Sequence, residues 1–414
     1  MKIVRSKIFI LIFLAVFVLF LTNDFKLINV EKTAIITAIA VDKQEEDYIA
    51  TVQIAVPEAT DTNTENQKAV ISGKGKTVAE AIKDIENVSG WYPRLAFCNL
   101  IILGKNFQSE NVITVLDYFV KTLRIQDSAI VVFSDEEAYK LLEKATPMDN
   151  ISSFAIQKII LKDPGFDKNI ATVNIKDFAV SYYSRNSSSY MPYVTVSTAK
   201  PDDKQSSSGE SSGGSDGSSG ESSGGSGSSS SGSSGNSTNN KGETVFNATK
   251  TALFKKGFLV GKLEKNHTLA FNLITADAVE TAINVRVNRN QTEYNYMLRI
   301  LRNSRSIKIK NENGTLKLYI NLNAYCKISD TDDNSYTGSY SDYSALPREV
   351  KENAEKSLEK DIKELLEISK KTNCDILKLD EKIYKFHNSL YHKYKDNPFN
   401  NLDVEIKVTV NSQK

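Results

Sequence analysis

The chain has 414 residues, 25% of them charged and 40% hydrophobic, and its formal net charge is +1 at pH 7. This length allows two or three domains, and the composition is that of ordinary globular protein. The balanced charge, with no Lys/Arg block and no aromatic platform, excludes nucleic acid as a predicted partner.

The first predicted element is an unbroken apolar segment, residues 8–21 (IFILIFLAVFVLFL). Basic residues precede it and Asp24 follows it, an arrangement that keeps the N-terminus cytoplasmic and sends the rest of the chain across a membrane. The run is shorter than the roughly 20 residues of a usual span. A cleavable secretory signal has a similar basic start and apolar core.

We assign residues 1–24 as an uncleaved signal anchor. This is favoured over a cleavable signal because no small-x-small cleavage triplet follows the apolar run. A buried core helix is disfavoured because the run has no polar face. Everything after Asp24 is then an extracytoplasmic body held at the membrane. The predicted anchor residues are Ile8, Phe9, Leu11, Phe13, Val16, Phe17, Leu19 and Leu21.

The N-terminal region, residues 25–200, alternates strands and helices. Two β-rich runs, residues 33–42 and 48–56, flank an acidic turn and predict a hairpin. Thr77 and Glu80 form a capping box before a helix that Gly90 is placed to end. Apolar periodicity predicts further helices near 109–122, 136–144, 149–162 and 175–185, and strands near 95–103, 129–133 and 190–197. The pattern is typical of a mixed α/β or α+β fold.

A Ser/Gly-rich segment, residues 201–245, separates the two halves. From 205 to 240 it is almost entirely Ser and Gly, so it cannot bury enough apolar surface to order itself. A flexible coil of this kind spans roughly 30–35 Å. We favour a neutral insertion in a surface loop, since closure entropy rises only slowly with loop length. The segment marks a predicted domain boundary.

The C-terminal region, residues 246–414, predicts an antiparallel sheet packed on one long helix. Gly257 and the pair Asn313-Gly314 mark two hairpin turns. The helix covers residues 347–371 and has an apolar stripe along one face. A second helix is predicted at 380–393, and further strands at 283–287 and 404–410. The whole chain is therefore predicted to be of mixed α+β class.

Two motifs resemble known binding sites, a phosphate-binding loop and a zinc site, but neither has the required spacing. Residues 75–77 (GKT) match the end of a phosphate-binding loop, but Val70 stands where that pattern requires glycine. A polar turn before the capped helix is the better interpretation. His387 and His392 are five residues apart, so they do not share a helical face as zinc ligands three or four apart would.

The remaining candidates for chemistry are equally weak. Acidic pairs such as Asp332-Asp333 fit solvated turns, and the fixed spacing of an EF-hand calcium loop is missing around them. Three cysteines are too few for a disulfide framework, although Cys326 and Cys374 leave one pairing open. We predict no enzyme, no metal and no cofactor.

Four stretches of the chain, taken in order, carry a resemblance. They are residues 30–57 (VEKTAIITAIAVDKQEEDYIATVQIAVP), 116–133 with 151–155 (ISSFA), 251–263 (TALFKKGFLVGKL), and 373–378 (NCDILK) through 391–394 (YHKY). Together they resemble the Ger(x)C family, the C-subunits of nutrient germinant receptors in spore-forming bacteria. The resemblance covers nearly the whole chain apart from the Ser/Gly segment.

The resemblance implies a non-enzymatic receptor subunit that docks on two integral membrane subunits, of the A and B types, in the spore inner membrane. Which germinant is involved, and whether this subunit binds one, is left open. The chain departs from the family at three places. No lipobox cysteine follows the apolar run, Asp380 stands where the family often has glycine, and the Ser/Gly segment is extra.

Two other functions were weighed against a receptor subunit. The first is a solitary membrane-tethered, extracytoplasmic protein that binds a small ligand in a pocket between its halves. The second, more distant, is a hydrolase. Ligand binding by the purified protein would favour the first, and a screen of ester, peptide and glycoside substrates would reveal the second.

Overall fold

The structure is a computed structural model that describes most of the chain. The described residues are 11–17, 33–55, 68–122, 125–144, 146, 149, 151–161, 169–198, 244–277, 280–341, 345–394 and 398–412. The segment 205–240, which is predicted to be disordered, lies outside them.

Within these residues the strands form two sheets, one of nine strands and one of four. The first sheet contains β1 (Thr33–Gln44), β2 (Asp47–Ala55), β3 (Lys68–Gly75), β4 (Tyr92–Arg94), β5 (Leu100–Leu103), β6 (Ile130–Ser134), β7 (Ser188–Thr198), β8 (Thr244–Lys255) and β9 (Phe258–Leu263). Its order is β3-β2-β1-β5-β6-β7-β8-β9, with β4 beside β1. The centre, from β1 to β7 through β5 and β6, is parallel, and the flanks are antiparallel hairpins.

Helices cover both faces of the first sheet because side chains on its central strands alternate between two buried cores. On β1, Ile39 and Val41 enter one core while Ala38 and Ala40 enter the other. The first core also takes α1 (Val78–Ser89), α2 (Ile113–Thr122) and α5 (Ile175–Tyr182), and the second takes α3 (Ala138–Glu143) and α4 (Ser152–Ile160).

The second sheet is covered by one long helix. It contains β10 (Thr281–Arg289), β11 (Thr292–Glu312), β12 (Thr315–Thr331) and β13 (Asp403–Ser412) in that order. The helices of this part are α6 (Lys265–Thr275), α7 (Arg348–Lys371), α8 (Leu379–Phe386) and α9 (Asn388–Lys393). The predicted apolar stripe of α7 is confirmed, since all of its members are buried: Val350, Ala354, Leu358, Ile362, Leu365 and Leu366. The mixed α+β class is likewise confirmed. The second sheet, however, is not wholly antiparallel as predicted: β13 pairs parallel to β12, because the connection between them is a crossover that contains α7.

Polar side chains of α7 bond to the backbone of both outer strands of the second sheet. Glu359 and Glu355 accept hydrogen bonds from the backbone N–H groups of Val408 and Val410 on β13, at 3.3 and 2.9 Å. At the opposite edge, the Asn353 side chain donates to a backbone carbonyl of β10 at 2.9 Å. The helix therefore satisfies backbone groups at two edges as well as covering the face between them.

The Ser/Gly segment connects two neighbouring strands of one sheet. Strands β7 and β8 pair antiparallel from Ser188↔Lys255 to Thr198↔Thr244, so both ends of residues 199–243 lie at one end of a single ladder. The hairpin β8–β9, which the sequence groups with the C-terminal region, hydrogen-bonds within the first sheet. Its Leu253 and Leu263 also pack in the core of the second sheet.

The predicted hairpins and helix caps are confirmed. Strands β1–β2 and β8–β9 pair as expected, and β11–β12 turn at Asn313 and Gly314, whose φ angles of 53° and 82° suit a type I′ turn. Thr77 accepts from the backbone N–H of Glu80, and Gly90 ends α1 with a φ of 71°. The Glu80 carboxylate, however, bonds to the N–H of Lys76.

Some boundaries predicted from the sequence were wrong. Residues 95–103 form a 3-10 turn and then a strand of only four residues, β5. The helix predicted at 380–393 is broken at His387 into α8 and α9. Local propensity does not place these limits, because tertiary context overrides it.

The glycines that suggested a phosphate-binding loop instead allow α1 to lie close against β3. A Cβ atom on Gly73 would lie 2.2 Å from the Ala81 carbonyl oxygen and 2.7 Å from the Ile85 nitrogen. A Cβ atom on Gly75 would meet the backbone nitrogen of Ala81 at 2.6 Å. These are backbone atoms of the helix, so only glycine allows this approach.

Replacing Gly73 with alanine is expected to lower the free energy of unfolding by roughly 1–3 kcal/mol, because the helix must move away from the strand. Urea denaturation of the two proteins would measure the difference. The exposed Lys83 on α1 provides a control, since Lys83→Ala should change stability by no more than about 0.5 kcal/mol. Equal effects of the two substitutions would contradict the close approach as the cause.

Candidate functional site

The predicted membrane anchor lies only partly within the described residues. Four of its members belong to a helical segment, residues 11–17, and have side chains that are more than half exposed: Leu11, Phe13, Val16 and Phe17. The others lie outside the described residues: Ile8, Phe9, Leu19 and Leu21. In the part of the chain that the structure describes, no helix combines the length and apolarity of a membrane span. The anchor stays a prediction.

The segment after α7, which the family resemblance singled out, makes two sharp turns. Asn373 and Lys378 both have left-handed backbone conformations, with φ angles of 51° and 55°. At the first turn, the hydroxyl of Ser369, near the end of α7, donates to the carbonyl of Cys374. These turns bring two carboxylates together.

Asp375 and Asp380 are both nearly inaccessible, at 1% and 6% exposure. The backbone N–H of Asp380 donates to Asp375 Oδ2 at 2.8 Å, and the N–H of Phe399 donates to Asp380 Oδ1 at 3.0 Å. Buried carboxylates of this kind require donors or a cation nearby.

The donors come from the first sheet. The Asn186 side-chain amide donates to both carboxylates, and the Lys255 ammonium donates to the Asn186 carbonyl and to its side-chain oxygen. The Ser188 hydroxyl accepts from the N–H of Asp375 at 3.1 Å and from Lys255 at 3.4 Å. We call these five residues, Asn186, Ser188, Lys255, Asp375 and Asp380, the junction cluster.

The junction cluster joins the two parts of the molecule. Asn186 lies just before β7, Ser188 begins that strand and Lys255 ends β8. The two aspartates follow the long helix of the second sheet. Next to them, the Cys374 thiol donates to the carbonyl of Phe254 at 3.3 Å. The cluster therefore connects the first sheet to the segment that leaves the helix of the second.

Burial dominates the electrostatics of the cluster. It raises the pKa of Asp375 to about 6, with the charge of Asp380 adding to the rise and Lys255 opposing it. Burial also raises the pKa of Asp380 and lowers the pKa of Lys255. Asp375 Oδ1 is buried without a hydrogen-bond partner. Each charge is thus only partly compensated.

A second contact between the two parts of the molecule is made by an arginine that lies over tyrosine rings. The Arg185 guanidinium lies 3.7 Å from the ring centroid of Tyr384 on α8 and 5.5 Å from that of Tyr391 on α9. The two rings meet edge to face at 5.3 Å. A cation held over the Tyr384 ring adds a second connection between the first sheet and the C-terminal helices.

A cleft of about 790 Å³ opens beside the junction, between the two sheets. Helices α4, α5 and α6 and residues 376–378 form its walls, with Tyr190 and Phe271 among the apolar lining. Asp177, Asp277 and Lys382 supply charges. Its volume lies within the range of small-molecule sites.

The acidic pair considered as a possible calcium site, Asp332 and Asp333, is hydrogen-bonded to other protein groups. Asp332 accepts from the backbone and side chain of Asn295, at 2.7 and 2.8 Å. Asp333 accepts from Arg289 at 3.0 Å and from the Tyr296 hydroxyl. Among the described residues, no group of three or more potential metal ligands occurs.

His267 and His387 bond to other protein groups, and the three cysteines are buried. His267 meets Glu364 at 3.0 Å, and His387 meets the carbonyl of Ile309 at 3.2 Å. Cys326 and Cys374, whose pairing the sequence left open, are free and buried, as is Cys98. Burial raises the pKa of each thiol to about 12, so these cysteines are unreactive.

Sequence reasoning found two of the five members of the junction cluster and missed three. It identified the Asp375 segment and noted Asp380 as a departure from the family pattern. It assigned no role to Asn186, Ser188 or Lys255. One signal was present, since Lys255 directly follows four consecutive buried residues, where a cation requires a partner.

Two family models match the chain. The one described as "Spore germination protein N-terminal domain" matches residues 27–196, and "Spore germination B3/ GerAC like, C-terminal" matches residues 249–413. Among solved structures, the chain is similar to one titled "Crystal Structure of the GerBC protein", with 16% identity and a TM-score of 0.49 over 90% of this chain and 96% of that one. No curated protein sequence matches it.

Proposed function

The chain belongs to the GerAC family of spore germination proteins, and on that premise we propose that it is a membrane-anchored, non-enzymatic subunit of a nutrient germinant receptor. The observation that carries the proposal is the match of both family domains, in order, on either side of the Ser/Gly segment. The apolar run with basic residues before it supports the membrane anchor.

In this proposal the body docks on the outward face of two integral membrane subunits, of the A and B types, in the spore inner membrane. It helps couple germinant sensing to the later release of ions and dipicolinate. The junction cluster supports a rigid adaptor, because buried hydrogen bonds and the Arg185 stacking tie the two sheets together.

The proposal predicts that tagged full-length protein, pulled down from detergent-solubilised spore membranes, brings two multi-spanning subunits with it. A version lacking residues 8–21 is the control and should recover less of both, since it loses its attachment to the same membrane. Recovery of the protein alone, from membranes shown to contain those subunits, would contradict docking.

The cleft favours one second candidate, a solitary tethered protein that binds a small ligand. Its volume and its combination of apolar walls with a few charges suit an amino acid or a sugar. Saturable binding measured by calorimetry, lost in Lys382→Ala, would support this function. No binding across a panel of amino acids and sugars would leave the receptor-subunit proposal as the better one.

A further inference from the structure

A second apolar surface lies at the end of the first sheet where the N-terminal segment joins it. A groove of about 700 Å³ lies between the ends of β1, β2 and β3 and the residues around β4. We call it the basal groove. Its lining comprises Thr33, Ala34, Ile35, Ile54, Ala55, Ala69, Ile71, Trp91, Arg94 and Phe97.

Several large apolar side chains around this groove are exposed. Trp91 is 46% exposed, Phe97 53% and Ile35 41%. Beside them, Tyr92 pairs with Thr33 through β4 and is 44% exposed. Apolar side chains exposed together around one groove are typical of a surface that contacts a membrane or another protein.

The composition of the patch indicates what covers it. Trp and Tyr are enriched at the boundary between membrane and water, where the ring lies in apolar material and its polar edge stays hydrated. Arg94 lines the same groove and offers a cation to lipid phosphates. Aliphatic Ile35 and Ile71 complete an apolar floor.

The position of the patch in the chain supports the same occupant. Residues 22–32, 11 in number, separate the apolar run from Thr33, which lines the groove. Even fully extended, such a tether reaches only about 40 Å. The end of the sheet that carries the patch is therefore the part of the body held nearest to the anchored segment.

We propose that the basal groove and its aromatic rim rest in the interfacial layer of a lipid bilayer. This inference rests on the proposed anchor, and it adds an orientation: β1–β3 meet the membrane with their Thr33 end. The body is then held by two contacts, a tether and an interfacial patch, instead of swinging freely on the tether.

Trp91 is the only tryptophan in the chain, so its fluorescence reports on this surface alone. The full-length protein is reconstituted into vesicles of phosphatidylcholine and phosphatidylglycerol in equal amounts, with and without bromine on the acyl chains. We expect Trp91 emission to be quenched by the brominated lipid. Phe97→Ser should weaken the quenching, whereas Val180→Ser, at a 57% exposed position on another surface, should not.

Moving the reporter gives the matched control. The double variant Trp91→Phe, Phe386→Trp places the tryptophan on α8, at a position that is 76% exposed. Its emission should be the same in both kinds of vesicle. Quenching at both positions would overturn the inference, because it would mean that the body adsorbs without a preferred orientation.

Flotation of the same vesicles separates this inference from the proposed function. If the protein floats with the vesicles but Trp91 is unquenched, the lipid contact is wrong while the anchor stands. If Trp91 emission shifts only when the A- and B-type subunits are added, a protein covers the groove and the inference is also wrong. If the protein does not float, the anchor fails and the inference fails with it.

Discussion

The variant Asp375→Asn is expected to be more stable than the natural protein at pH 7, by up to about 3 kcal/mol, and equally stable below about pH 4. The pKa of Asp375 is raised to about 6 by burial, against about 3.9 in an unfolded chain. Between these values the folded state holds a proton that the unfolded state has lost. Stability therefore falls as pH rises through this window, and it stays low above it.

Asparagine removes that loss of stability because it never ionises. It also keeps a side-chain oxygen that can accept the hydrogen bond from the backbone N–H of Asp380. Urea denaturation of both proteins from pH 4 to pH 8 would measure the difference in their free energies of unfolding at each pH. Contributions of titrating groups that the substitution does not affect cancel in this difference. Glu381→Gln is the control, because its carboxylate lies on the surface in a pair with Lys385 and should change stability by no more than about 1 kcal/mol. A difference between Asp375→Asn and the natural protein that does not vary with pH would contradict the explanation.

Ile362→Ala is expected to lower the free energy of unfolding by about 2–5 kcal/mol. Ile362 is fully buried at the middle of α7, in the core that this helix shares with the second sheet. Truncation removes apolar contacts and leaves a cavity that the long strands β11 and β12 cannot easily close.

The neighbouring Lys363 provides the matched control, because it is on the same turn of α7 but faces solvent. Lys363→Ala should change stability by no more than about 0.5 kcal/mol. Chemical denaturation followed by circular dichroism would measure both variants. Similar losses for the two would mean that helix propensity, and not packing on the sheet, determines the contribution of α7.

Local patterns in the sequence predicted most of the individual elements. The stripe on α7, the Asn313-Gly314 turn and the Thr77 cap depend on contacts between residues close in the chain, so periodicity and turn chemistry suffice. The pairing of β7 with β8 could not be predicted in this way. Those strands are adjacent in space but separated by the Ser/Gly segment, which was interpreted as a domain boundary.

The junction cluster shows the same limit for the site. The aspartates are five residues apart and could be noticed together, but their partners Asn186 and Lys255 lie far away in the chain. Only the fold brings these groups within hydrogen-bond distance. A single sequence contains no signal for that pairing beyond an unusual cation after a buried run.

The hydrogen bonds from α7 to the outer strands have a consequence for how copies of this protein can associate. An unpaired sheet edge is a template on which a strand of another molecule can add. Here, Glu355 and Glu359 already occupy successive donors of β13, and Asn353 occupies an acceptor of β10. Strand addition over these stretches of β10 and β13 must first displace those bonds, whereas the outer side of β11 from Arg302 to Glu312 has no partner strand among the described residues. We therefore expect copies of this protein to resist joining their second sheets through β10 or β13.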